Sequence, residues 1–114
     1  MKLQVKRVYE APEKADGIRI LVDRLWPRGL SRDKAALDLW LKEIAPSTEL
    51  RRWYAHQPER WQEFQRRYFA ELDQHPEVVS QLRAAFGKGT ATLLYAAKDA
   101  GHNNAQALLE YLRG

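Results

Sequence analysis

The sequence contains no cysteine. That single absence removes disulfides, thiolate zinc sites and cysteine nucleophiles together, and it suits a reducing compartment. No apolar run reaches the roughly 18 residues that a membrane-spanning helix needs. The opening MKLQVKRVYE has no signal-peptide apolar core, so the chain reads as cytoplasmic with no membrane partner. Like charges never run beyond a dipeptide, so there is no basic tail of the kind that coats nucleic acid. The excess of 19 Lys and Arg over 15 Asp and Glu, +4 in all, permits anionic partners without demanding them. Nucleic-acid binding through such scattered arginines is expected to be lost at physiological salt, because few phosphates are neutralised at once.

Motif absences narrow the chemistry further. His56, His75 and His102 stand far apart with no HxxxH or HExxH pattern, so no metal is expected. There is no GxGxxG, no Walker loop and no GxSxG elbow, so no resident cofactor is expected either. The GKGT at 87–90 precedes an apolar run and reads as a tight turn.

What is present is an ordinary globular composition, 45% hydrophobic and 30% charged, over 114 residues: one domain, 1–114, with one modest core. Four Trp, five Tyr and three Phe make that core aromatic-heavy. The stretch IRILVDRLWPRGL (18–30) is the organising feature. Ile18, Ile20, Leu21 and Val22 suit a buried strand, and Asp23, Arg24 and Arg28 follow where the chain leaves the sheet. Pro27 and Gly29 force the turn.

Apolar runs predict strands over 3–9, 18–24 and 91–96. Residues 37–41 are ambiguous: Leu37, Leu39 and Leu41 alternate as in a strand, while Leu37, Trp40, Leu41 and Ile44 keep helical spacing. Ser31 caps a short helical turn, Ser47 or Thr48 caps a helix carrying Leu50, Trp53 and Tyr54, and Pro58 opens the next. In that helix Trp61, Phe64, Tyr68, Phe69 and Leu72 share a face. Pro76 starts another helix that Gly87 stops, and Ala105, Leu108, Leu109 and Leu112 mark a C-terminal amphipathic helix.

Four long segments, VDRLWPRG (22–29), LDLWLKEIAPS (37–47), ELRRWYAHQPERWQEFQRRY (49–68) and LLYAAKDAGHNNA (93–105), resemble the DUF488 family in its short YeaO-like branch. The resemblance implies a three-layer α/β domain with a mostly parallel sheet of about four strands and flanking helices, and it tips 37–41 toward strand. Longer DUF488 relatives carry a Cys-His-Arg cluster after the late strand. This chain has Lys98, Asp99, His102, Asn103 and Asn104 there, so thiolate chemistry is ruled out at that loop.

Parallel strands ending near Arg24 and Ala97 place their following loops at one sheet edge, where ligands of open α/β sheets bind. The expected anion site is therefore Asp23, Arg24, Arg28, Lys98, Asn103 and Asn104, with Asp23 orienting an arginine and Arg28 clamping phosphate or carboxylate. The competing reading makes Asp23 and one arginine an ion pair that closes the strand end, and Asn103 a helix cap. Arg51 and Arg60 are secondary anion-binding candidates, and His56 is the candidate for proton transfer near neutral pH. The function expected is binding of an anionic small molecule, nucleotide or phosphorylated metabolite. A nucleic-acid module using the arginines of 51–67, or a structural or interaction domain, are the alternatives.

Overall fold

A computed structural model describes residues 2–114. Four parallel strands form the sheet: β1 (Lys2–Arg7), β2 (Ile18–Leu21), β3 (Leu39–Trp40) and β4 (Thr90–Tyr95), in the order β1-β4-β2-β3. The helices are α1 (Arg32–Ala35), α2 (Thr48–Tyr54), α3 (Trp61–Asp73), α4 (Pro76–Phe86) and α5 (Asn104–Arg113). The last strand in sequence is thus central in space. β4 pairs with β1 from Lys2↔Thr90 to Arg7↔Tyr95 and with β2 from Ile18↔Ala91 to Leu21↔Leu94. All its residues from Ala91 to Tyr95 are buried, which is why TATLLYAA reads as a continuous apolar run rather than an alternation.

The two sheet faces are covered unequally. Ile20, Val22, Ala91, Leu93 and Tyr95 point to a large core shared with α2, α3, α4 and α5. On the opposite face Leu21, Leu94 and Val8 meet Ala35 of α1 and the half-buried Trp26, Leu30, Leu37, Trp40 and Ala96. The remainder of that face is polar. Asp16 accepts hydrogen bonds from Lys6 at 3.1 Å and from the Arg19 guanidinium, and its backbone carbonyl accepts from the Thr92 hydroxyl at 2.7 Å. Asp16, Arg19 and Thr92 are all buried. A satisfied charge network there does the covering that a second helical layer would otherwise do.

The expected elements are found, with β1, β2 and β3 shorter than expected and β4 of the expected length but one residue earlier. The ambiguous 37–41 segment is a strand of two residues, Leu39 and Trp40, paired with Ile20 and Leu21. Its helical spacing expresses itself one step later, as a 3₁₀ turn at Lys42–Ile44. The caps act as their residue types predict: Ser31 accepts from the Lys34 amide, Ser47 from Leu50 and Asn103 from Gln106. Glu71 of α3 in turn takes the Ser47 amide and hydroxyl at 2.9 and 2.6 Å, locking the start of α2 to α3. Among the described residues no helix is long and apolar enough to cross a membrane.

Candidate ligand-binding cleft

β4 and β2 are neighbours, yet the chain leaves them toward opposite faces: β4 leads to α5 on the thick side and β2 to α1 on the thin side. A crevice opens at such a switch point, at the carboxyl ends of the strands. Here it is a cleft of about 530 Å³, continuous with a more open hollow of about 860 Å³. The two share Tyr9, Arg28, Tyr54, His56, Ala97 and His102 among their walls.

Asp23 sits where β2 ends. Its carboxylate accepts from the Ala96 amide at 2.9 Å and from the Asn104 side chain at 3.0 Å, and its carbonyl accepts from the Trp40 indole at 2.8 Å. It therefore ties β2, β4, α5 and β3 together at the cleft floor. Burial raises its pKa, against the lowering influence of the Asn104 and Ala96 hydrogen bonds and of Arg51. The expected role of orienting an arginine is not what the geometry gives: its hydrogen-bond donors are an amide and a carboxamide, and no ion pair joins it to Arg24 or Arg28.

Arg24 lines the more enclosed cleft and donates through Nη2 to the Ala45 carbonyl at 3.2 Å. Arg51 lines it from α2 and donates to Thr48 Oγ1 at 3.2 Å. Both are half-buried, and the Nε of each is buried without a hydrogen-bond partner. Neither forms an ion pair with a carboxylate among the described residues. Arg28 is exposed at the seam of the two hollows, and its carbonyl accepts from Tyr9 Oη at 2.8 Å. Lys98 lines only the outer hollow. Arg24, Arg28 and Lys98 thus lie along one continuous depression but not around one point.

Asn103 borders the cleft, with its side chain already occupied. Its Oδ1 caps Gln106 at 2.8 Å, and its Nδ2 donates to the Asp99 and Ala100 carbonyls at 3.0 and 3.2 Å. The capping alternative describes its geometry. Asn104 donates to Asp23 and to the Val22 carbonyl. Arg60 is turned away: it donates to the Trp53 carbonyl and lies 5.3 Å from the Trp53 ring, with Arg67 at 4.1 Å.

His56 does reach the cleft, by an unusual backbone. After α2 both Ala55 (φ 49°) and His56 (φ 56°) are left-handed, a conformation that costs a side-chain-bearing residue about 1–2 kcal/mol. The double reversal projects His56 beside Tyr54, with ring centroids 6.4 Å apart. Ala55→Gly is expected to raise the unfolding free energy by about 0.5–1 kcal/mol in urea titration, since glycine occupies this helix-terminal position without strain. A loss of stability would show that the Ala55 methyl makes contacts outweighing the strain.

Arg7 and Tyr9 escaped the sequence reading, whereas His102 stands in the late-strand loop that it singled out. Arg7 and Tyr9 enter because β1 flanks β4: Arg7 donates to the Ala96 and Ala97 carbonyls at 3.2 and 2.9 Å and stacks 4.8 Å over Tyr9. His102 is held by Asp99, which accepts from His102 Nδ1 at 3.1 Å and from the amides of Gly101 and His102. Those amides and the imidazole hold the Asp99 carboxyl below its usual range. The His102 ring meets Trp61 edge-on at 5.1 Å. The spacing Asp99, Gly101, His102 was the available signal for this turn. Among the described residues no group of three or more His, Cys, Asp or Glu could hold a metal ion.

The fold and the cleft define a small parallel α/β domain with a cationic, aromatic crevice at its switch point. The family model described as "Inactive DUF488-N3 subclade" matches residues 2–114. The chain belongs to the DUF488 family. It is 47% identical over 113 residues to "Uncharacterized protein YeaO" of Escherichia coli (strain K12), covering 99% of this chain and 98% of that protein. It is 41% identical over 113 residues to "Uncharacterized protein Rv3073c" of Mycobacterium tuberculosis (strain ATCC 25618 / H37Rv), covering 99% and 95%. No solved structure matches the chain.

Proposed function

We propose that the cleft binds an anionic small molecule, a phosphate- or carboxylate-bearing metabolite, without covalent chemistry. The observation that carries this reading is the pair Arg24 and Arg51, two half-buried guanidinium groups in one cleft, each with an orphaned Nε and neither in direct ion-pair contact with a carboxylate among the described residues. A cation kept partly out of water without an ion-pair partner is costly. A ligand oxyanion supplies the missing charge and accepts bidentate hydrogen bonds. The absence of cysteine and the subclade's description as inactive both favour binding without turnover. The arginines of α3 favour a small ligand over a nucleic-acid stripe, because Arg66 and Arg67 already pair with Glu63.

The test is a thermal-shift screen with inorganic phosphate, phosphorylated metabolites and carboxylates. A binding probe raises the melting temperature by mass action, with about 2.7 kcal/mol of stabilisation at a hundredfold excess over Kd. Arg51→Gln is expected to weaken a hit by about tenfold or more, the loss of one charged hydrogen bond. Arg28→Ala is expected to weaken it while leaving the ligand-free melting temperature unchanged, because Arg28 is an exposed loop residue. No shift with any probe, or unaltered affinity in Arg51→Gln, overturns the reading.

A further inference from the structure

The same cleft has a second property that recognition of a bare phosphate does not require: its apolar walls are flat. Five of the chain's twelve aromatic side chains, Tyr9, Trp26, Tyr54, Trp61 and Phe64, line it. Among the described residues Leu25 is the one branched aliphatic side chain that does so, the rest of the apolar lining being alanine and proline. A site for a branched aliphatic ligand gains from interdigitating Leu, Ile and Val, whereas planar rings and small residues leave slots that planar guests fill.

The wall is also held in place. Trp61 stacks on Phe64 with centroids 5.4 Å apart and planes 18° apart, Phe64 packs on Tyr54 at 4.7 Å, and His102, anchored by Asp99, closes on the edge of Trp61. Such an array needs little reordering on binding, which favours affinity. About 530 Å³ lies within the range of sites for ligands well above the size of free phosphate.

We infer that the occupant is a planar aromatic oxyanion, a phosphate ester or carboxylate of an aromatic or heteroaromatic ring, with the ring against the Trp61–Tyr54 wall and the charged group facing Arg24 and Arg51. This rests on the anion-site reading and specifies what the anion is attached to.

Isothermal titration of the full chain with methyl, cyclohexyl and phenyl phosphate separates the two. All three offer the same charged group, so differences report the attached group alone. Phenyl phosphate is expected to bind at least about tenfold more tightly than methyl phosphate and about threefold or more tightly than cyclohexyl phosphate, from stacking beyond area burial. Trp61→Leu is expected to remove the phenyl advantage, bringing phenyl phosphate affinity to within about threefold of that for methyl phosphate. Should that variant fail to fold, saturation transfer from the protein to the phenyl protons in the native chain supplies the second reading. Equal affinity for the three esters, or cyclohexyl matching phenyl, overturns the aromatic inference and leaves the anion site standing. Failure of all three, with no probe active in the thermal screen, overturns both.

Discussion

Gly17→Ala is expected to cost about 4 kcal/mol or more, a large share of the stability of a domain this size. Gly17 has φ 64° and ψ −134° and precedes β2 directly. A Cβ built there would lie 2.0 Å from the Thr90 carbonyl oxygen and 2.7 Å from its carbon, both backbone atoms at the start of β4. Relief would require β2 and β4 to separate at the Ile18↔Ala91 register, in the middle of the sheet. The backbone strain alone is worth about 1–3 kcal/mol, and steric overlap with a strand adds to it, against a total stability of about 5–15 kcal/mol. Gly29→Ala is the control. Its φ is 75°, but nothing lies within 4 Å of the added carbon, so it should lose only the dihedral cost of about 1–2 kcal/mol. Urea unfolding of both variants checks the pair. A Gly17→Ala protein as stable as Gly29→Ala would mean that the strands yield to the methyl group.

Asp16→Ala should be nearly as severe. Its carboxylate is shared by Arg19, with a side chain only 6% exposed, and Lys6, at 12%. Arg19 also donates to the Ala35 and Ala36 carbonyls at 2.8 and 3.1 Å, so it cannot swing out to water without loosening α1. Removing one partner of a buried ion pair strands the other, at about 3–5 kcal/mol. Asp16→Ala combined with Arg19→Met is expected to recover part of that loss, since the stranded charge is gone; because the two sites touch, the cycle is non-additive. A single variant within about 1 kcal/mol of the parent would show that water reaches the guanidinium.

The same carboxylate governs acid stability. Burial by itself would raise the Asp16 pKa, but the Glu13 amide, Lys6 and Arg19 outweigh it and hold the group below its ordinary 3.8. A depressed folded pKa means that the unfolded chain binds the proton more readily. Its contribution is therefore complete above about pH 4 and is lost as pH falls through the folded value. Asp23 acts with the opposite sign: its raised pKa favours the protonated folded form, so its contribution declines as pH rises through that value. In an acid titration of unfolding free energy, Asp16→Ala should flatten the fall below pH 4.

Local chemistry carried much of this fold into the sequence. The caps Ser31, Ser47 and Asn103, and Gly87 at the end of α4, each act within a few residues, and the run IRIL carries its burial in its own composition, so their positions were readable. The cleft was legible in outline for the same reason: Asp23, Arg24 and Arg28 follow one strand, and His102 and Asn104 follow another. What each side chain does there was not legible. Asp23 and Arg24 are adjacent in sequence with opposite charges, yet Asp23 accepts from Ala96 and Asn104, more than seventy residues away. Arg60 has the same chemistry as Arg51 and a neighbouring place in the pattern, but an indole holds it outside the cleft.

By itself the sequence determined the apolar runs, the caps, the absence of thiol chemistry and the cationic loops after two strands, because periodicity, capping and composition are local or global properties that need no knowledge of neighbours, and the parallel α/β architecture followed from those runs together with the family resemblance. Only the tertiary structure decided that β4 lies between β1 and β2, that Arg7 and Tyr9 thereby join the depression at the strand ends, and that the thin face is closed by the short α1 together with the buried charges of Asp16, Lys6 and Arg19. Strand order and the pairing of buried charges are set by which distant surfaces exclude water together, and that competition is settled only when the whole chain has packed.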